Sequence, residues 1–331
     1  MAAPFYKVQA ADEATAGTAV AATAKWNAFS LRPTIGDRTI VQPVEDRGSL
    51  AMAHTGYTTQ LTASLGDLAG DCTYEDVILP ALMSLESITP TQPNSATDPN
   101  EYLWTFEPSW TAANSPKTFT IEWGDDVQAW ETEYCFATGL TISGNANEAW
   151  QVSAPLMGRQ NSTTTFTGAL TDRSLERAIF NKGTIYIDDA GGTIGTTQFA
   201  CDMVNFTWTL PAHYSSFYGA GGQLYFCGLA EAKVQPTLSM TVVMDSGQAT
   251  LMTTDYTAET VQLVRVQTTG ATMDNNAKYI YIDGAYRIVN ISEIGNQGGL
   301  SIVTMTYSGE YDSTWAKMFQ LSVLNGVSAI P

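Results

Sequence analysis

The side chains that could do chemistry in this sequence are mostly carboxylates, and five of them fall in one short segment. EWGDDVQAWETE holds Glu122, Asp125, Asp126, Glu131 and Glu133. A pair of carboxylic acids can hydrolyse a glycosidic bond when an apolar pocket keeps one of them protonated. Glu131 and Glu133 instead alternate with Thr and aromatic residues, which places both on one polar strand face with no pocket evident to raise either pKa. We interpret this segment as a solvated strand face and expect no catalytic residue.

Histidine and cysteine are too sparse to predict a metal centre. The two histidines, His54 and His213, are far apart, and nothing in the sequence brings them together. The cysteines show neither CxxC nor Cys/His spacing, and four reduced, partly buried thiols are a better interpretation than a disulfide pair. They are Cys72, Cys135, Cys201 and Cys227. We therefore expect no metal and no cofactor.

The charge of the chain is strongly negative. The 331 residues carry 15 basic and 33 acidic side chains, for a net charge of −18. An acidic surface repels phosphate, which argues against a protein that grips nucleic acid but not against one that lets it pass. No stretch approaches the roughly 20 apolar residues of a membrane helix, and no signal peptide is evident.

Alternation of apolar and polar residues predicts strands over most of the chain. In TFTIEW (118–123) and WETEYCF (130–136) the apolar side chains fall on one face and the polar ones on the other. VNFTWTL (204–210) and TLSMTVVM (237–244) show the same period. Strands with one wet face are typical of antiparallel sheets, so we predict a mainly β fold.

One short helix is predicted at about residues 73–86. Thr73 is suited to cap it, with Asp76 three residues later in a variant of the capping box. The carboxylates of Glu75 and Asp76 would then lie in the first helical turn, where they favour the helix dipole. Pro80 would remove a backbone hydrogen bond, so we expect a kink or two short helical turns meeting there.

The chain divides into an arm and two halves. Residues 1–25 are rich in Ala, Thr and Gly and are predicted to form an extended arm, with a disordered terminus as the alternative. A first β-domain (26–160) and a second (175–331) are separated by a polar linker (161–174). ATGLTISGNANEAWQVSAPLMG, ending at Gly158, is similar to VNISEIGNQGGLSIVTMTYSG, ending at Gly309, which suggests duplication.

Three segments, in this order, resemble the tail tube proteins of long, flexible-tailed bacteriophages. They are GDCTYEDVILPALMSL, YLWTFEPS and KTFTIEWGDDVQAWETEYCFATGLTISGNANEAWQVSAPLMGRQ. In that family a TYED…LP…L helix is followed by a WTF.P strand, a T..E.GD…Q strand and a GLT.SG…..V..S..L.GRQ hairpin. The N-terminal ADEATAGTAV and the C-terminal GLSIVTMTYSGEYDSTWAKMFQLSVLN also resemble the family, so the resemblance covers most of the chain.

The resemblance implies a fold and a function. The fold would be two related β-sandwich or barrel units with one flanking helix, whose inner sheets join those of neighbouring copies into a β-lined tube. Rings of such units stack along the tail, and DNA leaves the virion through the bore. The protein would be a structural component of the virion tail, not an enzyme, made in the host cytoplasm. A carbohydrate- or receptor-binding β-sandwich tail protein is the alternative, and a polysaccharide hydrolase on a β-sandwich is the enzymatic one.

The acidic segment is then a candidate lining of the bore. Duplex DNA carries about one negative charge per 1.7 Å of axis, and acidic groups within a Debye length of roughly 8 Å repel it without contact. Glu131 and Glu133 are the leading candidates, followed by Asp125, Asp126 and Glu122. An outward, solvent-facing surface is the alternative for this face.

The expected number of chains in a ring follows from the presence of two tube units in one chain. Three chains would close a pseudo-sixfold ring through heterologous contacts, and the alternative is six chains with one tube unit each and a decorating second half. The arm is expected to become ordered only in the tube, with Phe5 and Tyr6 packing on an adjacent ring. The resemblance also implies contacts with tape-measure, tail terminator and tail-tip proteins, passage of double-stranded DNA without specific binding, and no membrane partner.

Overall fold

The computed structural model describes residues 5–34, 37–51, 55–199, 203–245 and 249–330. Strands make up 49% of the chain and helical residues 6%, which confirms the mainly β prediction. Within these described ranges the sheets are antiparallel and do not close into a barrel. His54, Cys201 and the first four residues of the predicted arm lie outside the described residues.

The first part of the chain contributes eleven strands and one helix. The strands are β1 (Lys7–Asp12), β2 (Ala24–Lys25), β3 (Phe29–Ser30), β4 (Asp37–Val41), β5 (Tyr57–Asp71), β6 (Tyr102–Phe106), β7 (Phe119–Gly124), β8 (Ala129–Ala137), β9 (Leu140–Asn145), β10 (Gln151–Gly158) and β11 (Gln160–Thr164). The helix is α1 (Ile78–Ser84).

The second part contributes eleven further strands and short helical turns. The strands are β12 (Gly183–Asp189), β13 (Gln198–Phe199), β14 (Met203–Leu210), β15 (Tyr214–Phe217), β16 (Gly228–Glu231), β17 (Thr237–Val243), β18 (Val261–Thr272), β19 (Ala277–Ile291), β20 (Gly295–Gln297), β21 (Leu300–Gly309) and β22 (Phe319–Asn325). A 3-10 turn (Phe180–Lys182), a π-helical turn (Leu251–Asp255) and α2 (Tyr256–Ala258) complete the regular structure.

A single antiparallel sheet runs through both parts of the chain. Its strands follow the order β3, β5, β10, β9, β14, β17, β21, β19, and we call it the wall sheet. The two parts meet where β9 pairs with β14, with Leu140 opposite Leu210 and Asn145 opposite Asn205. Beyond β3, the strand β4 pairs with the outer end of β5 as a hairpin. The chain therefore presents one continuous, twisted ribbon of strands with open ends.

A second layer of strands follows the order β1, β7, β8, β11. The strand β8 bends into the wall sheet at its end, where Ala137 lies opposite Leu156 of β10. In the later part of the chain the order β12, β18, β19, β22 is built in the same way, and β22 also pairs with β6. One hydrophobic core that includes Trp26, Trp104, Trp150 and Trp208 fills the space between these strands.

The predicted alternation of buried and exposed residues is present in β14 and absent from β7. Phe206, Trp208 and Leu210 of β14 are buried while Thr207 is exposed, as the alternation predicts. In β7 every residue is buried, so the prediction that one face of this strand is wet is wrong. The reason is that segments outside the sheet, including residues 20–22, fold over its polar face and hydrogen-bond to Thr120 and Glu122.

The helix is shorter than predicted and begins later. It spans Ile78–Ser84 and is buried throughout. Thr73 does accept a hydrogen bond from the backbone N–H of Asp76, at 3.1 Å, but this closes a turn that precedes the helix. Because Pro80 then lies in the first helical turn, where N–H groups have no partner within the helix, it needs no kink. The expectation that Glu75 and Asp76 stabilise the helix dipole is wrong, since no acidic residue lies in that turn.

The N-terminal segment is paired within its own chain. Residues 7–12 form β1, which pairs along its whole length with β7, and Val8 and Ala10 are buried. The expectation that the whole arm becomes ordered only on assembly is therefore wrong for these residues, because β7 offers them a free edge in the same chain. The predicted linker is strand as far as Thr164, where β11 ends, and has little regular structure beyond it.

Candidate functional site

The five predicted acidic residues lie on the hairpin formed by β7 and β8, in the second layer. Glu122 and Glu131 are directly opposite each other on the two strands, and Trp123 lies opposite Trp130. The two indole rings stack, with centroids 5.0 Å apart. The hairpin therefore places carboxylates on one side of a rigid aromatic pair, although the five do not share one environment.

Glu122 is enclosed within the chain. Its carboxylate accepts hydrogen bonds from the Gln9 amide at 2.6 Å, the Ala22 backbone N–H at 3.1 Å, and the backbone N–H and hydroxyl of Thr167 at 2.8 and 2.6 Å. Burial pushes the pKa of Glu122 up, but these hydrogen bonds outweigh it and hold the pKa below its ordinary value. Glu122 is thus an ionised carboxylate that ties the N-terminal segment and residue 167 to β7, and it does not face solvent.

Glu133 is also engaged within the chain. The Arg159 guanidinium donates to its carboxylate at 2.7 and 3.0 Å and to the Gly17 carbonyl at 2.6 Å. The neighbouring carboxylate of Glu13, which is buried, accepts four hydrogen bonds, among them one from the Tyr134 backbone N–H at 2.8 Å. Glu133 and Glu13 therefore anchor residues 13–17 on the hairpin.

Glu131 differs from both neighbours because nothing in the described part of the chain donates a hydrogen bond to its carboxylate. Burial raises its pKa, and repulsion from Glu122, Glu133 and Glu13 raises it further. It is partly exposed. Glu131 is therefore the carboxylate on the two strands of this hairpin whose negative charge is least compensated by the chain.

The turn between the two strands holds the remaining pair. Asp125 accepts hydrogen bonds from the backbone N–H groups of Val127 at 2.9 Å and Gln128 at 3.1 Å, so it shapes the turn. Asp126 is exposed to solvent, as is Val127 beside it. Of the five predicted residues, Asp126 and Glu131 are thus the ones whose carboxylates accept no hydrogen bond from the described residues and are at least partly exposed.

The two aromatic residues predicted to contact a neighbouring ring have different surroundings. The side chain of Phe5 is 69% exposed. Tyr6 packs against the core, and the Arg32 guanidinium carbon lies 3.8 Å from the centroid of its ring. Phe5 is therefore available for contact with another copy, whereas Tyr6 is largely used within the chain.

Two hairpins expose more apolar surface than sequence reasoning predicted. The β4–β5 hairpin carries five exposed large apolar residues, and a second hairpin, between β19 and β21, carries three. They are Ile40, Val41, Val44, Leu50 and Tyr57 on the first, and Val289, Ile294 and Leu300 on the second. Apolar residues inside the Gly- and Pro-containing segments VQPVEDRGSL and ISEIGNQGGL were the available signal, since loop segments of a monomer have little reason to carry them.

The described residues show no arrangement for metal chemistry. Within them no group of three or more His, Cys, Asp or Glu side chains could hold a metal ion. Cys72, Cys135 and Cys227 are free thiols; Cys72 and Cys135 are buried, which raises their pKa, whereas Cys227 is exposed and not partly buried as predicted. His213 lies against the Pro211 carbonyl at 3.0 Å, and burial lowers its pKa.

Comparisons with known proteins do not assign the chain to a family. No family model matches the chain, and no curated protein matches it in sequence. No helix within the described ranges is long and apolar enough to cross a membrane. The functional interpretation rests on the chain's own strand order, edges and charges.

Proposed function

We propose that this chain is a tail tube protein that assembles into stacked rings around a bore through which double-stranded DNA leaves a virion. The observation that carries the proposal is that one strand arrangement occurs twice in the chain and that the two copies are joined edge to edge by β9 and β14. A chain built in this way already contains one junction of a wall, and further copies can extend the wall by the same contact.

The repeat extends to both layers. In the wall sheet the order β3, β5, β10, β9 corresponds to β14, β17, β21, β19. In the second layer the order β1, β7, β8, β11 corresponds to β12, β18, β19, β22. Each copy is thus a small two-layer β unit, which supports the predicted division into two tube units and a ring of three chains with pseudo-sixfold symmetry, over a ring of six chains.

Two faces of this unit could meet the bore, and the solvent-facing side of the wall sheet is favoured. It is the face that continues from one copy to the next through the β9–β14 junction. Its side chains are mainly hydroxyls, among them Thr141, Ser143, Ser153, Thr207, Ser239 and Thr304. The strands from β3 to β21 in this sheet contain no Lys or Arg. Arg287 of the last strand, β19, lies on the same face by register and is paired with Glu259 and Glu310. With so few cationic groups such a face holds phosphates weakly, so DNA can slide past it.

The acidic β7–β8 hairpin would then contribute negative charge without lining the bore. Glu131 and Asp126 lie on the β7–β8 hairpin, in the second layer. Their charge adds to the net −18 of the chain, which repels DNA at a distance within the Debye length. Glu131, Glu133, Asp125 and Asp126 remain the candidate acidic lining if the second layer instead faces the bore.

The exposed hairpins support assembly with other copies. Large exposed apolar side chains grouped on a hairpin mark a protein–protein contact in an otherwise ordinary surface. The β4–β5 hairpin, with Val44 and Leu50 fully exposed at its end, projects from the open end of the wall sheet and is suited to contact the next ring. Tape-measure, terminator and tail-tip partners follow from the sequence resemblance and form part of the same proposal.

A carbohydrate- or receptor-binding tail protein is the second candidate, and one pocket favours it. Trp110 and Tyr311 line a surface pocket of about 750 Å³ together with Asn114 and Glu231. The indole N–H of Trp110 is buried without a hydrogen-bond partner in the described residues, and aromatic rings beside polar groups can stack on sugars. Such a protein would bind glycans and would not need to polymerise.

Electron microscopy of the purified full-length protein separates the two proposals. Hollow tubes or stacked rings in negative stain, with no shift of thermal midpoint on a panel of host-surface glycans, are expected for a tube protein. Monodisperse particles at all protein concentrations, together with saturable glycan binding that Trp110→Ala abolishes, would contradict it.

A further inference from the structure

We propose that residues 292–297 of one chain pair antiparallel with residues 29–34 of the next chain in the ring, with Ser292 opposite Thr34. The inference rests on the proposed tube function and deepens it by naming the two edges that meet. Its template is the junction inside the chain, where β9 pairs with β14 and Thr141 lies opposite Thr209.

The first edge is equivalent to β9. In the first copy Thr141 of β9 lies opposite Ser153 of β10. In the second copy Ile291 lies opposite Met305 of β21, and the backbone N–H of Ser292 donates to the Thr304 carbonyl at 2.8 Å. The β9–β10 hairpin ends at Gly158, and the hairpin of β19 and β21 ends at Gly309. When the two are aligned at these residues, Ser292 corresponds to Thr141 of β9.

The second edge is equivalent to β14. Asn205 and Thr209 of β14 lie opposite Thr241 and Thr237 of β17. In the first copy Ser30 lies opposite Ala69 of β5, and the backbone N–H of Thr34 donates to the Ser64 carbonyl at 3.1 Å. Thr34 therefore occupies the place of Thr209, and the residue that faces it across the next junction is Ser292.

The first edge, which begins near Ile291, is not covered by the neighbouring strand β18. The strand β18 runs along β19 but ends its pairing where Val261 lies opposite Arg287. Beyond that point, among the described residues, the strand β20 pairs only with β21. Ile294 is 61% exposed there, although β9 is covered by β14 from Leu140 to Asn145 in the first copy. An edge with free N–H and C=O groups and exposed apolar side chains is a template for another strand.

The packing around one glycine on each edge points the same way. A Cβ on Gly144 of β9 would lie 2.7 Å from the Phe206 ring of β14, 2.8 Å from the Phe180 ring and 2.9 Å from the Trp150 ring. A Cβ on Gly295 would meet nothing closer than Ile302, at 3.5 Å. The space that β14 fills beside the first glycine is thus open beside the second.

A second copy of the chain is the occupant that fits this edge. The uncovered edge at residues 292–297 and the edge at residues 29–34 stand at opposite ends of the wall sheet, so they cannot meet within one chain but can meet head to tail between chains. A heterologous contact of this kind closes a ring when the rotation per unit is right, and the internal β9–β14 junction supplies that same rotation.

Disulfide cross-linking tests the register. The background carries Cys227→Ser and Cys201→Ser, and the test variant adds Thr34→Cys and Ser292→Cys, both at exposed positions. Directly opposed residues can form a disulfide, whereas Cα atoms more than about 7 Å apart cannot. After assembly and mild oxidation we expect a covalent ladder that stops at a closed trimer on a non-reducing gel. The off-register variant, Thr34→Cys with Asn296→Cys, shifts one partner by about 13 Å along the strand and should give monomers.

Hydrogen exchange on the unmodified protein provides a second measurement that needs no variant. Assembly should slow exchange of alternate backbone amides in residues 292–297, and in residues 29–34 apart from Pro33, by about tenfold or more relative to dissociated subunits, because these amides gain strand partners. Tubes that form without the cross-link ladder or without this protection would overturn the proposed pairing and leave the tube function intact. Failure of the wild-type protein to form rings or tubes would overturn the function itself, and the pairing with it.

Discussion

Trp150 packs edge to face on Phe206 of β14, with ring centroids 4.7 Å apart. Phe180 stacks on the same Phe206 ring, with centroids 6.3 Å apart. All three rings lie close to Gly144 of β9. The β9–β14 junction is therefore held by side-chain packing as well as by backbone hydrogen bonds.

Gly144→Ala should destabilise the chain, and Gly295→Ala should not. The added methyl at Gly144 would lie within 3 Å of Phe206, Phe180 and Trp150, and overpacking of this kind costs about 1–3 kcal/mol. The same change at Gly295 meets no atom closer than 3.5 Å and should change the free energy of unfolding by less than about 0.5 kcal/mol. Urea denaturation measures the free energy of unfolding of both variants. A loss for Gly144→Ala as small as that expected for Gly295→Ala would show that the junction is loosely packed.

The sequence predicted the strands better than the places where they meet. Alternation located β14 and β17 because their polar faces remain in water. It misjudged β7, because the cover over Thr120 and Glu122 comes from residues distant in sequence, which no local period can indicate. Pro80 was misjudged for a related reason: the start of α1 is set by the turn at Thr73 and by burial.

The predicted acidic site shows the same limit. The sequence identified the carboxylates of the β7–β8 hairpin, but whether each is free depends on Gln9, Thr167 and Arg159, which reach them from far along the chain. Glu122 and Glu133 are therefore structural, while Glu131 keeps an uncompensated charge. Segment similarity suggested the duplication, but only the order of paired strands reveals which edges remain open.

Asp76→Asn should gain stability relative to the wild type as pH rises. Asp76 is fully buried, and although Arg173 pairs with it, burial raises its pKa to about 6. Because the folded state holds this proton more tightly than the unfolded state, the contribution of Asp76 to stability falls as pH rises from the ordinary aspartate pKa of 3.8 through 6.

Asparagine removes that dependence, so the stability of the variant relative to the wild type should rise by up to about 3 kcal/mol between pH 3.5 and pH 7.5. Chemical denaturation at the two pH values measures the difference. An unchanged difference would mean that the Arg173 ion pair fully compensates the burial of Asp76.

Glutamine substitution should separate Glu131 from Glu133. Glu131→Gln removes a charge that faces other carboxylates, so at pH 7 it should be neutral or stabilising by less than about 1 kcal/mol. The gain should vanish as pH falls through the raised pKa of Glu131, where the wild-type carboxyl is itself protonated. Glu133→Gln weakens the contact with Arg159 and should cost about 1–3 kcal/mol. Thermal unfolding of the pair checks this, and a loss at Glu131 as large as at Glu133 would contradict the assignment.

Lysine substitutions should identify the face that DNA passes. Thr207→Lys introduces a cation on the wall face, where it can hold phosphates, and should slow DNA ejection from virions that carry it. Glu131→Lys places the same charge in the second layer and serves as the matched control, with ejection expected at the wild-type rate. Slow ejection with Glu131→Lys and a normal rate with Thr207→Lys would show that the second layer lines the bore.

A cryo-electron microscopy reconstruction of the assembled full-length protein tests the central claim most directly. The account predicts hollow tubes whose rings contain three chains in a pseudo-sixfold arrangement, with the hydroxyl face of the wall sheet toward the bore and Ser292 of one chain beside Thr34 of the next. Six equivalent chains per ring, or a protein that forms no ring at any concentration, would contradict it.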